Sequence, residues 1–298
     1  MINRYLIFRT DRIGDFLLTA ILINSIKRNN PNSIITVISS EKNYDYIKSF
    51  NFVDEVILLK NNLFDKIKLI KKLRKIYYDY VIIHDLKKRS SKISLFLRYG
   101  LKIRPINNSD SSYIDVIKKI LSELNFNFID SDLNTLKLRD YASSGYSSKN
   151  FILFHFDEKW IYDDYISEYS KIEPSRDDLI SFINLLLITS NKKIIITTGM
   201  NCPKILNDIL DNSFNSGVKI YKKLNFFDLE NLISKCNLLI SCHGAVSHVA
   251  AAHQIKQIDI IDKNKIDFYS KWTAHFTNYS RIYRQEFSEL CKEIIRLL

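Results

Sequence analysis

The chain contains only six glycines, four prolines and four cysteines in 298 residues. So few backbone breakers exclude a collagen-like or Pro/Gly-rich low-complexity protein. The cysteines (Cys202, Cys236, Cys242 and Cys291) form no C-x-x-C pair. They read as reduced thiols in or near the core of a cytoplasmic protein. No run approaches 18 uninterrupted apolar residues, so no transmembrane helix is predicted. The opening M-I-N-R-Y-L-I-F-R is too short in its apolar stretch for a signal peptide and lacks a small-residue cleavage site. No G-x-G-x-x-G occurs, which argues against an NAD-linked oxidoreductase.

What is present is 46% hydrophobic and 26% charged residues, the balance of a globular protein with a sizeable core. The formal charge of +11 suits a polyanionic partner: nucleic acid, anionic lipid or a phosphorylated substrate. The excess lysine accompanies a general richness in Asn and Ile, so charge alone does not choose among them. Tyr and Phe are spread through apolar periods instead of alternating with Lys and Arg on one face. With no nucleic-acid motif present, no nucleic-acid partner is expected.

Short β-rich runs alternate with helical periods. Strands are predicted at Tyr5–Phe8, Ile34–Ile38, Val56–Leu59 and Val81–Ile83, with helices at Phe16–Ile26, Tyr44–Phe50, Phe64–Ile76 and Tyr113–Leu124. The Ser/Gly-rich stretch Asp140–Lys149 lacks apolar periodicity and reads as a linker. The alternation then restarts, with strands at Phe151–Phe154, Ile194–Thr197, Val218–Tyr221, Leu238–Ile240 and Ile258–Ile261. Helices are predicted at Leu179–Ile188, Ile205–Leu210, Phe227–Ser234 and Val246–Ala252, and an amphipathic helix over Glu286–Leu298 closes the chain. The expected fold is α/β, with two Rossmann-like, doubly wound domains over residues 1–140 and 150–298.

Ligands of such sheets bind beyond the carboxyl ends of the strands, and four loops there carry unusual residues. The first is R-T-D-R-I-G-D, Arg9 to Asp15. Gly14 allows a close approach, and Asp15 stands in the first turn of a helix, where it serves either as a cap or as a general base at a cleft mouth. Arg9 and Arg12 suit a phosphorylated ligand. The second is H-D-L-K-K-R-S-S-K, His84 to Lys92, either a solvated basic run or an acceptor-side anion site that includes Lys87. The third is F-H-F-D-E-K-W, where Lys159 beside Trp160 can reach a diphosphate or simply lie exposed beside a packing ring.

The fourth is L-L-I-S-C-H-G-A-V-S-H-V-A-A-A-H, Leu238 to His253. A buried strand runs into a small-residue turn and an alanine-rich helix. Gly244 and Ala245 leave backbone N–H groups open to a phosphate at the helix start, with Ser247 in the first turn and His243 and His248 pointing polar groups there. The five-residue steps His243 to His248 and His248 to His253 are not the i,i+4 spacing of metal ligands on one helix face, so no metal is expected. Gly199, just past the Ile194–Thr197 strand, completes the set assigned to donor binding.

Taken together, these pieces resemble glycosyltransferase family 9, the ADP-heptose:lipopolysaccharide heptosyltransferases. The resemblance rests on Arg9-x-Asp11-x-Ile13-Gly14-Asp15-x-Leu17-Leu18-Thr19, followed by Ile26-Lys27-Arg28-Asn29-Asn30-Pro31, then on Lys159-Trp160 and on the His243–His248 region. It implies a GT-B fold with two domains facing a central cleft, the acceptor on the N-terminal one and the nucleotide sugar on the C-terminal one, and a last helix that packs back on the N-terminal domain. It implies an inverting, metal-independent sugar transfer with Asp15 as general base. No cofactor is implied, only a nucleotide diphosphate sugar as co-substrate. The implied acceptor is a phosphorylated glycan or glycolipid, such as lipopolysaccharide core, met by a cytoplasmic enzyme in peripheral contact with the inner membrane surface. Two departures stand out. His243-Gly244-Ala245 replaces the family's Asp-Thr-Gly, and Thr19-Ala20 replaces its Thr-Pro. A different sugar or nucleotide, or a catalytically silent nucleotide-sugar-binding protein of the same fold, therefore stays open beside the enzyme.

Overall fold

The computed structural model describes residues 2–105, 111–136, 150–162, 166–207, 209, 214 and 216–298. The chain divides into two compact units, Met1–Thr135 and Leu136–Leu298. The predicted linker Asp140–Lys149 lies outside the described residues.

The first unit is built on five parallel strands: β1 (Arg4–Phe8), β2 (Ile34–Ser39), β3 (Glu55–Leu58), β4 (Tyr77–Ile82) and β5 (Arg98–Ile103), in the order β3-β2-β1-β4-β5. β1 is buried from Tyr5 to Phe8, as a central parallel strand covered on both faces must be, and this explains its unbroken apolar run. Among the described residues, α1 (Ile13–Asn29), α2 (Tyr44–Lys48), α3 (Leu63–Leu73) and α4 (Lys88–Ser94) connect successive strands, and α5 (Tyr113–Glu123) follows β5. α1 begins one turn earlier than its apolar periodicity predicts, because Arg12 takes the N-cap and Asp15 closes the first turn. α3 and α4 lie over the same sheet face, since Leu69, Leu73, Ile93 and Leu97 share one core cluster with Leu6, Phe8 and Val81. Arg28, in the last turn of α1, grips the buried Asp132 with Nε and Nη2 at 2.8 and 3.0 Å, tying a 3-10 turn at Asp130–Leu133 to the helix.

The second unit carries six parallel strands: β6 (Phe151–His155), β7 (Lys193–Thr197), β8 (Val218–Tyr221), β9 (Leu238–Cys242), β10 (Lys256–Ile261) and β11 (Tyr279–Tyr283), in the order β11-β10-β9-β6-β7-β8. Its helices are α6 (Arg176–Ser190), α7 (Lys204–Asn207), α8 (Phe226–Lys235), α9 (Ala245–Ala252), α10 (Ile266–Thr273) and α11 (Phe287–Arg296). α11, the predicted terminal helix, packs on α6, where Phe287 meets Phe182 and Trp160 edge-on. Both units are therefore α/β, with doubly wound parallel sheets.

The order of each sheet reverses once, between β1 and β4 in the first unit and between β6 and β9 in the second. At such a switch point the connections leave in opposite directions and a crevice opens at the carboxyl ends of the two strands. The four loops singled out from the sequence follow β1 and β4, and β6 and β9.

Candidate functional site

In the first unit the loop after β1 is organised by buried charge. Arg9 is only 3% exposed: its Nε donates to Thr19 Oγ1 at 2.6 Å and its Nη1 to Asp11 Oδ2 at 3.2 Å. Thr19 Oγ1 also meets Nδ1 of His84, in the loop just after β4, at 2.9 Å. Burial, reinforced by the Arg9 charge, holds the His84 ring well below the ordinary histidine range and therefore neutral. Arg9 thus faces inward and braces the loop. Asp85 braces it from the other side, accepting from Thr10 Oγ1 (2.6 Å), Ser90 Oγ (2.7 Å) and the Lys87 backbone N–H (3.1 Å). Leu86 sits between them in the left-handed region at φ 55°, a position that side chains adopt at a cost and that recurs at functional sites.

This brace supports a pocket of about 610 Å³. Asp15, Arg12 and Lys87, expected at the acceptor side, all line it, as do Asp11, Lys42 and Arg89. Asp15 accepts the Arg12 backbone N–H at 3.0 Å, so its carboxylate closes the helix start and borders the pocket at once. Lys87 pairs with Asp11 and donates to the Thr10 carbonyl at 3.0 Å. A carboxylate set among fixed cations can bind an anionic ligand and accept a proton from it.

In the second unit the site grows from β6. Trp160 is fully buried, and its Nε1 donates to the His155 carbonyl at 3.1 Å, which fixes the 3-10 turn Glu158–Trp160. Asp157 caps that turn and pairs with Lys159 Nζ at 2.6 Å, with His155 Nε2 at 3.5 Å. Burial alone raises the Asp157 carboxyl, but His155 and Lys159 outweigh it and hold it well below the carboxylate range. Burial likewise pushes Lys159 down, and Asp157 more than restores it, so the ammonium stays charged.

That ammonium rests on Gly244. A Cβ at Gly244 would lie 2.7 Å from Lys159 Nζ and 3.2 Å from Cε. The φ of Gly244, 177°, is ordinary extended backbone, so the glycine is needed for space and not for conformation. Gly199 serves the same turn from the other side, since a Cβ there would fall 2.6 Å from Glu158 Oε2 and 3.3 Å from the Asp157 Cβ. Gly244 is also the N-cap of α9; its own N–H goes to Ser247 Oγ at 3.3 Å, while those of Ala245 and Val246 lack helical partners and the dipole favours an anion. A fixed cation and an open helix start therefore meet at one point.

Around that point lies a second buried carboxylate. Asp259 Oδ2 takes His243 Nδ1 at 2.6 Å and Tyr279 Oη at 3.1 Å, while its Oδ1 takes Ser247 Oγ at 2.8 Å. Burial, together with the Asp259 charge, raises the Tyr279 phenol, which therefore stays a donor. His248 lies one turn into α9, buried, with its ring edge-on to His243, Trp272 and Phe276 and with Nδ1 unpartnered. Burial holds this ring well below the ordinary histidine range. The sequence reading of this unit missed Asp157, Asp259, Tyr279 and Arg284, whose Nη1 donates to the Lys159 carbonyl at 2.8 Å. For Asp259 a signal was present: a lone acid inside the apolar strand Q-I-D-I-I.

No protein-family model matches the chain, nor does any curated protein sequence. Solved structures do. The chain is similar to E. coli heptosyltransferase WaaC with ADP, at 12% identity and a TM-score of 0.73, covering 99% of this chain and 98% of that one. It is similar to E. coli ADP-heptose lps heptosyltransferase II at 14% identity and a TM-score of 0.68, over 98% and 96% of the two chains. UDP-GlcNAc 2-epimerase from Methanocaldococcus jannaschii follows at 11% identity and a TM-score of 0.57, over 99% and 92%. At such identities the likeness establishes the fold, which is GT-B, and leaves the chemistry to the site.

Proposed function

We propose that the protein is a divergent member of glycosyltransferase family 9 that transfers a sugar from a nucleotide diphosphate sugar to a surface-glycan acceptor. The observation that carries this is the Lys159 ammonium, seated on Gly244 at the start of α9 and kept charged by Asp157. Fixed positive charge at a helix N-terminus suits a leaving diphosphate, and preorganised charge of this kind needs no rearrangement as the bond breaks. The WaaC structure that this fold resembles has ADP with it.

In the proposed reaction the acceptor oxygen bonds to the anomeric carbon, the bond from that carbon to the phosphate oxygen breaks, and inversion follows from attack opposite the leaving group. Asp15 takes the hydroxyl proton. Arg12 and Lys87 hold a phosphorylated acceptor beside it, and Arg9 keeps Asp11 and the loop in place. On the donor side Lys159 and the backbone N–H of Ala245 receive the diphosphate, while Ser247, whose hydroxyl donates to Asp259 and accepts the Gly244 N–H, sets the turn. Gly199 leaves room for the turn, and His243 and His248 shape the surroundings. This arrangement supplies the charge that a metal ion would otherwise provide.

No helix among the described residues is long and apolar enough to cross a membrane. We place a peripheral membrane contact on α3, whose Leu63, Phe64 and Ile67 are exposed among Lys66, Lys68, Lys71 and Lys72. Asn61, just ahead of that helix, lines the acceptor pocket, so a glycolipid held at this face lies near Asp15. The replacement of the family's Asp-Thr-Gly by His243-Gly244-Ala245 favours a second reading, a silent nucleotide-sugar binder.

The test is a thermal-shift panel of nucleotide diphosphates and nucleotide sugars on the wild type and on Lys159→Ala, followed by a transfer assay with the best ligand. Stabilisation of the wild type that Lys159→Ala loses supports the donor site. Binding without transfer to any phosphorylated glycan supports the silent binder, and no binding at all refutes both.

A further inference from the structure

Asp259 is fully buried in the middle of β10, paired in register with Ser241 of β9 and Arg281 of β11. A carboxylate in such a place is unfavourable by several kcal/mol unless donors satisfy it. Two of its three donors, His243 and Ser247, belong to the entrance of α9, and the third, Tyr279, comes from β11. The carboxylate is thus spent on the phosphate turn, from one strand away.

We propose that Asp259 is a positioning residue that fixes the orientation and proton of His243, so that Nε2 of His243 contacts the diphosphate of the nucleotide sugar. This rests on the donor site proposed above and adds a specificity-determining contact to it. A carboxylate only accepts, so Nδ1 of His243 must donate at 2.6 Å. That leaves Nε2 as the ring's other functional atom, and no hydrogen bond among the described residues engages it. Phosphate oxygens also only accept. Contact with them requires a proton on Nε2, and the ring then binds as an imidazolium with Asp259 as its counter-ion. The turn that carries a carboxylate in family 9 here presents an imidazole, and the carboxylate stands behind it.

The groups facing His243 allow its proton to be read. Asp259 lies on it from β10, backed by Tyr279 of β11. His248 of α9 is 5.4 Å away by ring centroids, and Tyr269 of α10 is 4.9 Å away. Lys159 approaches by way of Gly244. His248 is held neutral by burial, by His243 and by His275. Lys159 is held charged by Asp157. Neither changes state near the ordinary histidine range; His155, 3.5 Å from Asp157, is the other ring at this site, so a pH dependence is assigned to His243 only where His243→Gln abolishes it.

The experiment is calorimetric titration with the tightest binder among ADP-, UDP-, GDP- and dTDP-glucose, whose diphosphodiesters do not titrate near neutrality. Wild-type affinity should rise about tenfold or more from about pH 8 to about pH 5.5, the worth of one charge-assisted hydrogen bond. Asp259→Asn and His243→Gln should both lie flat at the alkaline level. Because Asp259→Asn risks unfolding, 15N spectra of histidine-labelled wild type give a second reading. The resonances absent from His243→Gln should show Nδ1 protonated throughout and Nε2 titrating. A flat wild-type profile, a retained slope in His243→Gln, or a neutral ring protonated on Nε2 overturns the proposal. If a nucleotide sugar binds and Lys159→Ala weakens it while the profile is flat, only the role of Asp259 and His243 falls. If none binds the wild type at any pH, the donor site falls with it.

Discussion

Replacing Gly244 with alanine tests the seat of Lys159 by adding one methyl group beside it. The backbone there is extended at φ 177°, so alanine adds no conformational strain. It adds one methyl group, 2.7 Å from Nζ and 3.2 Å from Cε of Lys159. To regain ordinary van der Waals separation the ammonium must retreat by about 0.7 Å or more. Because the obstacle is the far end of a flexible side chain, the fold should hold with little change in melting temperature. The ammonium, however, leaves the start of α9 or loosens its 2.6 Å pair with Asp157. The contact at risk is charge-assisted and is worth about 1.5–3 kcal/mol. Nucleotide-sugar affinity should therefore fall about ten- to hundredfold. Lys159→Met, which keeps the stem and removes the charge, should weaken binding to a similar degree, and the double variant should lose little more than either alone. Calorimetry on the three variants, with thermal melts in parallel, decides the matter. Wild-type affinity in a folded Gly244→Ala protein would refute the reasoning.

Three further outcomes follow from the structure. Asp15→Asn keeps the size and most of the capping capacity, so it should lower turnover by about 10²–10⁴-fold while melting temperature and nucleotide affinity stay level; full activity in the transfer assay sinks the base assignment. Burial holds His248 well below the histidine range and His275 down to about 4. The unfolded chain then takes up protons first, so stability should fall as pH drops from about 6.5 toward 4, and equal urea midpoints at about pH 7.5 and about pH 5 contradict this. Phe64, 78% exposed on the basic helix α3, should carry part of any lipid contact. Phe64→Asp should reduce co-sedimentation with phosphatidylglycerol-containing vesicles, and undiminished binding moves the contact elsewhere.

The alternation of strands and helices was legible because its signals are local. β1, β6 and β9 are central parallel strands, and their burial on both faces writes continuous apolar runs into the sequence. The glycine turns after β1 and β9 mark the switch-point loops for the same reason. Two of the four edge strands, β5 and β11, were not legible. β5 exposes Arg98, Gly100, Leu101 and much of its length, and β11 is half-exposed, so neither carries the pattern of a covered strand. α4 was hidden in a basic run that reads as loop until Ile93 is seen packing under it.

The composition of the candidate site was also determined locally, down to Asp15, Lys159, Gly244 and His248. What each residue does there was decided by contacts far along the chain. Arg9 reads as a ligand-binding arginine, yet Thr19 and His84 draw it inward, where it braces the loop. Gly244 reads as a phosphate-turn glycine, and only the tertiary structure shows Lys159 Nζ, from another strand's loop, 2.7 Å from where a Cβ would stand. Asp259 looks misplaced in an apolar strand until His243, Ser247 and Tyr279 close around it. Sequence periodicity specifies which residues are buried. It does not specify which buried charges meet, because that depends on how neighbouring strands are ordered in the sheet.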